Sequence, residues 1–170
     1  MLSTMSFIRA TSMAILSCVL LSACNTYRVW VNETVVFSPD PLFTEFQVVD
    51  VALQDCITQH IEHANITSAA ELTDLNCSQA GISSLRGIQA FHSLRALKLS
   101  HNQVRNLAPL AKLSVLAELY IDNNQIRDVS ALEKIESLKI INLSMNPDIP
   151  CGDIPKRFRL KDSDLPKHCR

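Results

Sequence analysis

Between Leu72 and Asn146 the apolar residues recur at an interval of 22 positions. Residues 72–93 place Leu72, Leu75, Cys77, Ala80, Ile82, Leu85, Ile88 and Phe91 at offsets 1, 4, 6, 9, 11, 14, 17 and 20. Residues 94–115 fill the same offsets with Leu94, Leu97, Leu99, Asn102, Val104, Leu107, Leu110 and Leu113. Residues 116–137 do so with Leu116, Leu119, Ile121, Asn124, Ile126, Val129, Leu132 and Ile135. A fourth segment supplies Leu138, Ile141, Leu143 and Asn146 before Pro147 ends the match. Offsets 4 and 6 point to one side of a strand and offsets 3, 5 and 7 to the other, which predicts one short half-buried strand per unit. The later apolar offsets line a return path. A single unit cannot bury that much apolar surface, so the core must come from stacking neighbours. Asn102, Asn124 and Asn146 sit at offset 9, where the chain turns inward, and their amides are expected to bond backbone groups that no strand satisfies. The first unit has Ala80 there.

These residues spell L-x-x-L-x-L-x-x-N-x-[IV], which resembles the leucine-rich repeat. The 22-residue unit and the Leu-x-x-Leu-x-x-Leu second half are similar to the internalin-type class. The fold class implied is α/β: a short leucine-rich-repeat solenoid of about four repeats with a curved parallel sheet, a helical N-terminal cap and an irregular C-terminal cap. Pro41 to His63 reads as a helix, with Phe46, Val49, Leu53, Cys56, Ile57 and His60 on one face. The stretch from Phe37-Ser38-Pro39-Asp40-Pro41-Leu42 to Glu71-Leu72 resembles the helical cap ahead of internalin-like repeats, and Gly81 to Ile88 resembles their first turn. The likeness covers about residues 37–147. Beyond Pro147, Pro150, Pro155 and Pro166 block a long helix.

The amino terminus follows a different pattern. Arg9 is the only charged residue in 1–23, and positions 10–23 are a 14-residue largely apolar run. A membrane-spanning helix needs about 20 residues, whereas a secretory leader's apolar core is about 7–15. Leu21-Ser22-Ala23-Cys24 resembles the lipobox of bacterial lipoproteins. That resemblance implies a signal peptide over 1–23 and Cys24 as the acylated first residue of the mature chain. Stable anchoring takes about two acyl chains, so three would fix the protein to the membrane. Asn25 departs from the Asp that favours inner-membrane retention, which points to an outer-membrane lipoprotein. The organisation expected is leader 1–23, lipid-anchored linker 24–40, cap 41–71, repeats 72–146 and C-terminal cap 147–170. Within the linker, Tyr27 to Val31 alternates like a strand.

Six cysteines are present. Cys18 leaves with the leader and Cys24 carries lipid, so Cys56, Cys77, Cys151 and Cys169 remain, an even number for an oxidising compartment. Four cysteines allow three connectivities. Cys56–Cys77 and Cys151–Cys169 are favoured because each pair lies at one end of the domain. Cys77 also occupies an inward offset. No Cys-x-x-Cys spacing marks a zinc site.

Composition narrows the function. Of 170 residues 47% are hydrophobic and 19% charged, which is globular. Three glycines exclude the common nucleotide-binding loops. A net charge of −1 excludes a general nucleic-acid binder. There is no Gly-x-Ser-x-Gly or His-Glu-x-x-His. His60 and His63 have i, i+3 spacing, but a half-buried His60 and an exposed His63 explain it without a metal. Glu118 and Asp122 lack a pocket that would make them a catalytic pair. No enzyme activity, metal or cofactor is expected.

The outward strand offsets form the better surface. Tyr120 is central there, among Lys98, Glu118, Asp122, Ile140 and Asn142. An exposed tyrosine amid mixed polar groups is the kind of anchor that protein interfaces use. The expectation is a membrane-anchored protein whose sheet face binds another protein. The alternative is a structural role, in which the basic tail, with six Lys/Arg against two Asp in 156–170, touches peptidoglycan or lipopolysaccharide.

Overall fold

The computed structural model describes residues 29–31, 34–37, 40–159 and 163–169. Cys24 and the leader lie outside them. The chain divides into two compact units, with the boundary after Pro41. The described part of the first is an antiparallel hairpin, β1 (Val29–Val31) against β2 (Thr34–Phe37), with Trp30 opposite Val35. The alternating stretch of the linker therefore contains a strand, paired locally. Among the described residues, no helix is long and apolar enough to cross a membrane.

The second unit opens with a segment that is neither helix nor strand, followed by helix α1, Val51–Ala64. The helix begins ten residues later than the apolar spacing predicts, for a reason visible in Asp50. Its backbone is extended and its carboxylate accepts a 3.2 Å bond from the Leu53 N–H, the geometry of an N-cap. Leu53, Ile57 and Ile61 form the buried stripe, four residues apart. Asn65 closes the helix in the left-handed conformation, its N–H returning to the Ile61 carbonyl. Upstream, Phe43 and Phe46 are spaced like a helix face but serve another purpose. Both rings pack on the buried Phe91 of the first coil, with centroids 6.2 and 5.2 Å away. The Phe43 N–H bonds the Ile66 carbonyl and the Val49 N–H bonds that of Arg86, so this segment lies flat on the coil. Val49, expected on the buried face, is 66% exposed. Gly87 makes the close approach possible: a Cβ there would meet the Gln47 carbonyl oxygen at 2.2 Å.

The repeats form a parallel sheet in the order β3 (Asp74–Asn76), β4 (Ala96–Lys98), β5 (Glu118–Tyr120), β6 (Ile140–Asn142) and β7 (Ser163–Asp164). Register is exact through the first four: Leu75, Leu97, Leu119 and Ile141 are successive partners. The return paths contain short 3-10 turns at Ile88–Ala90, Ala108–Lys112 and Ser130–Lys134. All apolar repeat positions are buried except Ala80, which is half-buried, and they join one core with Leu53, Ile57 and Ile61 of α1. Burying each Leu or Ile contributes about 1.5–3 kcal/mol. The expected leucine-rich-repeat solenoid is the observed fold. The tail adds a fifth strand that the repeat pattern does not announce.

The three asparagines occupy the inner bend of successive coils. Asn124 Nδ2 donates to the carbonyls of Leu99, Ile121 and Asp122 at 3.0–3.1 Å, and its Oδ1 accepts the Val104 N–H at 2.9 Å. Asn102 bonds Cys77, Leu99 and Ser100 carbonyls and the Ile82 N–H in the same way. Asn146 bonds those of Ile121, Leu143 and Ser144 and the Ile126 N–H. Each amide thus joins its own coil to the one before. The preceding residue has positive φ in every coil: Gln79, His101, Asn123 and Met145, at 51–59°. That conformation is costly for residues other than Gly, Asn and Asp, and only Asn123 suits it by type.

Both ends are closed covalently, Cys56 to Cys77 and Cys151 to Cys169. The first ties α1 to the first coil. The second ties the two ends of the tail. Arg157 adds a polar closure: its guanidinium donates to the carbonyls of Leu132 and Ile135, within and just after the 3-10 turn Ser130–Lys134, and lies over the Phe158 ring.

Candidate binding face

The in-register strands place outward residues in straight columns. One column is Asp74, Ala96, Glu118, Ile140 and the next is Asn76, Lys98, Tyr120, Asn142. Asp164 of β7 pairs with Asn142 and extends the second column. With strands about 4.8 Å apart, five of them span about 19 Å, one strand wider than the repeat count implies.

Tyr120 lies at the middle of this face, half-buried by its neighbours. The Lys98 ammonium sits 5.5 Å from its ring centroid, a cation–π distance. Its hydroxyl lies 3.5 Å from a Glu118 carboxylate oxygen. Ring, ammonium and carboxylate therefore hold one another on two adjacent strands, and the aromatic surface is positioned before any partner arrives. Ile140, half-buried, is the apolar neighbour of Glu118 on the next strand.

A second group surrounds Asp122. Its Oδ1 accepts from the Ser100 hydroxyl and, at 3.2 Å, from the Asn142 amide. Its Oδ2 lies 3.8 Å from His101 Nε2. His101 Nδ1 is 2.7 Å from the Asn123 amide nitrogen, so it accepts there and Nε2 carries the proton toward Asp122. Asn142 Oδ1 in turn accepts from the Ser144 N–H and hydroxyl. Glu118 and Asp122 thus have separate partners, Tyr120 for the first and the Ser100, Asn142 and His101 group for the second. Sequence reasoning singled out neither Ser100 nor His101, although both occupy outward offsets.

At the cap end, His60 of α1 joins Asp74, Asn76, Ala96 and Lys98 around a hollow of about 140 Å³, where the small Ala96 leaves a notch in its column. His60 is half-buried and His63 exposed. In the basic tail, Arg157 is engaged by the Leu132 and Ile135 carbonyls. Lys156 and Lys167 are exposed.

No protein-family model and no curated protein sequence matches the chain. Solved structures do. An internalin from Listeria monocytogenes superposes with a TM-score of 0.61 at 26% identity, over 69% of this chain and 36% of its own. Internalin C2 from the same organism gives 0.56 at 27% identity, over 69% of this chain and 55% of its own. The chain thus spans about a third to a half of the internalins that it matches. The likeness supports the leucine-rich-repeat fold.

Proposed function

We propose that this chain is a lipid-anchored protein of the bacterial envelope whose concave sheet face binds another protein. The observation that carries the reading is the preset Lys98–Tyr120–Glu118 group at the centre of an in-register face. Tyr120 is the anchor, Ile140 extends its apolar area, and Lys98, Glu118, Asp122 and Asn142 supply polar complementarity around it. The fold shared with internalins is in keeping with recognition rather than catalysis. A face of about 19 Å suits a loop, a peptide or one small domain. The lipobox-like Leu21-Ser22-Ala23-Cys24 supports acylation of Cys24, cleavage before it, and a tether through residues 24–40 to the cap, with outer-membrane placement from Asn25.

The test places a photo-crosslinking amino acid at 120 in one variant and at the exposed Ser114 of a return path in another. A discrete adduct from position 120 in whole cells, absent from 114 and lost when Lys98 and Ile140 are also changed to alanine, is the expected result. Equal labelling from both positions overturns the reading. Palmitate incorporation that disappears in Cys24→Ala is expected for the anchor; retained label refutes it.

A further inference from the structure

We propose that the C-terminal closure has two alternative chemistries, and that reduction of Cys151–Cys169 exposes a binding site for a thiophilic divalent cation of the zinc class. Among the described residues, one group brings three metal-ligating side chains together: Cys151, His168 and Cys169, with donor atoms all within 4.8 Å of one another. A tetrahedral zinc site, with Zn–S about 2.3 Å and Zn–N about 2.0–2.1 Å, places its donors about 3.5–3.8 Å apart. The Cα atoms of the cysteines are 5.1 Å apart, so side-chain rotation alone brings two free thiolates to that spacing.

The histidine is held as a ligand should be. His168 Nε2 lies 3.0 Å from the Ile149 carbonyl oxygen, which can only accept, so Nε2 donates there and Nδ1 is the nitrogen assigned to the cation. An imidazole fixed through one nitrogen by a carbonyl is the usual outer support of a metal-bound histidine. The histidine is reachable from solvent. His168 lines a groove of about 460 Å³ together with Met145, Pro147, Leu165 and Lys167, and is exposed at its edge. Water supplies the fourth ligand. The other disulfide has no comparable set: Cys56 and Cys77 belong to no group of three ligating side chains among the described residues.

The chemistry balances with a dithiol as reductant. Its two electrons break the Sγ–Sγ bond, its two protons pass to Cys151 and Cys169, and it leaves as its own disulfide. The cation then displaces one proton from each thiol, and the two thiolates neutralise its charge. Metal and disulfide are mutually exclusive, and either holds the ends of the tail together.

The experiment uses the full chain treated with a phosphine reductant and titrated with Co²⁺, then competed with Zn²⁺. The expected result is one equivalent with thiolate-to-cobalt charge transfer and tetrahedral d–d bands, displaced by zinc. Zinc should slow alkylation of Cys151 and Cys169 at least tenfold, read peptide by peptide, and leave Cys56 and Cys77 unprotected. His168→Ala should weaken cobalt binding at least tenfold. The double variant Cys151→Ser/Cys169→Ser, which retains the other pair, should lose the bands. Bands that persist in the double variant, binding indifferent to His168→Ala, or no bands in the reduced wild type, folded or not, would each overturn the proposal.

Discussion

Replacing Asn124 by alanine tests the physical claim on which the stacked coils depend. The side chain is 5% exposed and makes four bonds to backbone groups. They are not equivalent. The Leu99 carbonyl also accepts from Asn102, that of Ile121 from Asn146, and that of Asp122 from the His101 N–H, so each keeps a partner. The Val104 N–H, on a fully buried residue, keeps none that the fold can supply. Orphaning it costs about 1–3 kcal/mol, and the three weakened carbonyl interactions add about 1 kcal/mol in total, for an expected loss of about 2–4 kcal/mol. Asn124→Asp separates this account from loss of volume. The aspartate still accepts from Val104 but aims negative oxygen at three carbonyls, so near neutral pH it should destabilise more than alanine. Urea denaturation followed by circular dichroism, with comparable m-values, measures both. A shift below about 0.5 kcal/mol for alanine, within the range of ordinary surface substitutions, would refute the reasoning. So would an aspartate tolerated better than alanine at pH 7.

Gly87→Ala should cost at least about 2 kcal/mol, because its Cβ would strike the Gln47 backbone and φ is +103°; faster amide exchange at Val49 is the local readout. Removing the first disulfide as Cys56→Ser/Cys77→Ser, with a sequence separation of 21, should cost about 3 kcal/mol; an unchanged thermal midpoint contradicts the staple role. For Asp50, burial raises the carboxyl pKa, but bonds from the Ser83 N–H and hydroxyl and the Leu53 and Ser84 N–H groups outweigh it and leave the group below its ordinary value. A depressed carboxylate stabilises the fold above its unfolded pKa and loses that contribution as pH falls through its folded pKa. Stability should therefore decline as pH drops below about 4, and Asp50→Asn should flatten that part of the curve; an unaltered acid limb in the variant would count against the cap network.

The core was legible because the repeat fixes phase. Once Leu97, Leu99 and Asn102 are aligned with Leu119, Ile121 and Asn124, each inward position follows without reference to propensity, and the buried positions agree. The start of α1 was less legible because two physical causes give the same spacing. Phe43 and Phe46 are three apart, as on a helix, but they sit where Phe91 can receive their rings. The signal that resolves this is Asp50, an N-cap residue directly before Val51. β7 was hidden because a two-residue strand of Ser163 and Asp164 carries no apolar alternation; its backbone bonds to β6 define it. The left-handed residue at offset 8 was hidden for the opposite reason: Gln79, His101 and Met145 occupy a conformation that their side chains do not favour, so the stacked backbone imposes it. On the outward face the sequence identifies which side chains are neighbours, but the proton arrangement between His101 and Asp122 depends on distances that no pattern encodes.

The brevity of β7 has a consequence for solubility. A parallel sheet whose end strand is long and straight offers a template to which another chain can hydrogen-bond, and growth can then continue indefinitely. Here the described part of the outermost rung is Ser163–Asp164, and Pro166, two residues on, has no N–H to offer a further strand. At the opposite margin α1 is bound to the first coil through sulfur. A second molecule arriving edge-on therefore meets a short rung followed by proline on one side and a helix on the other, which discourages edge-to-edge growth into fibres.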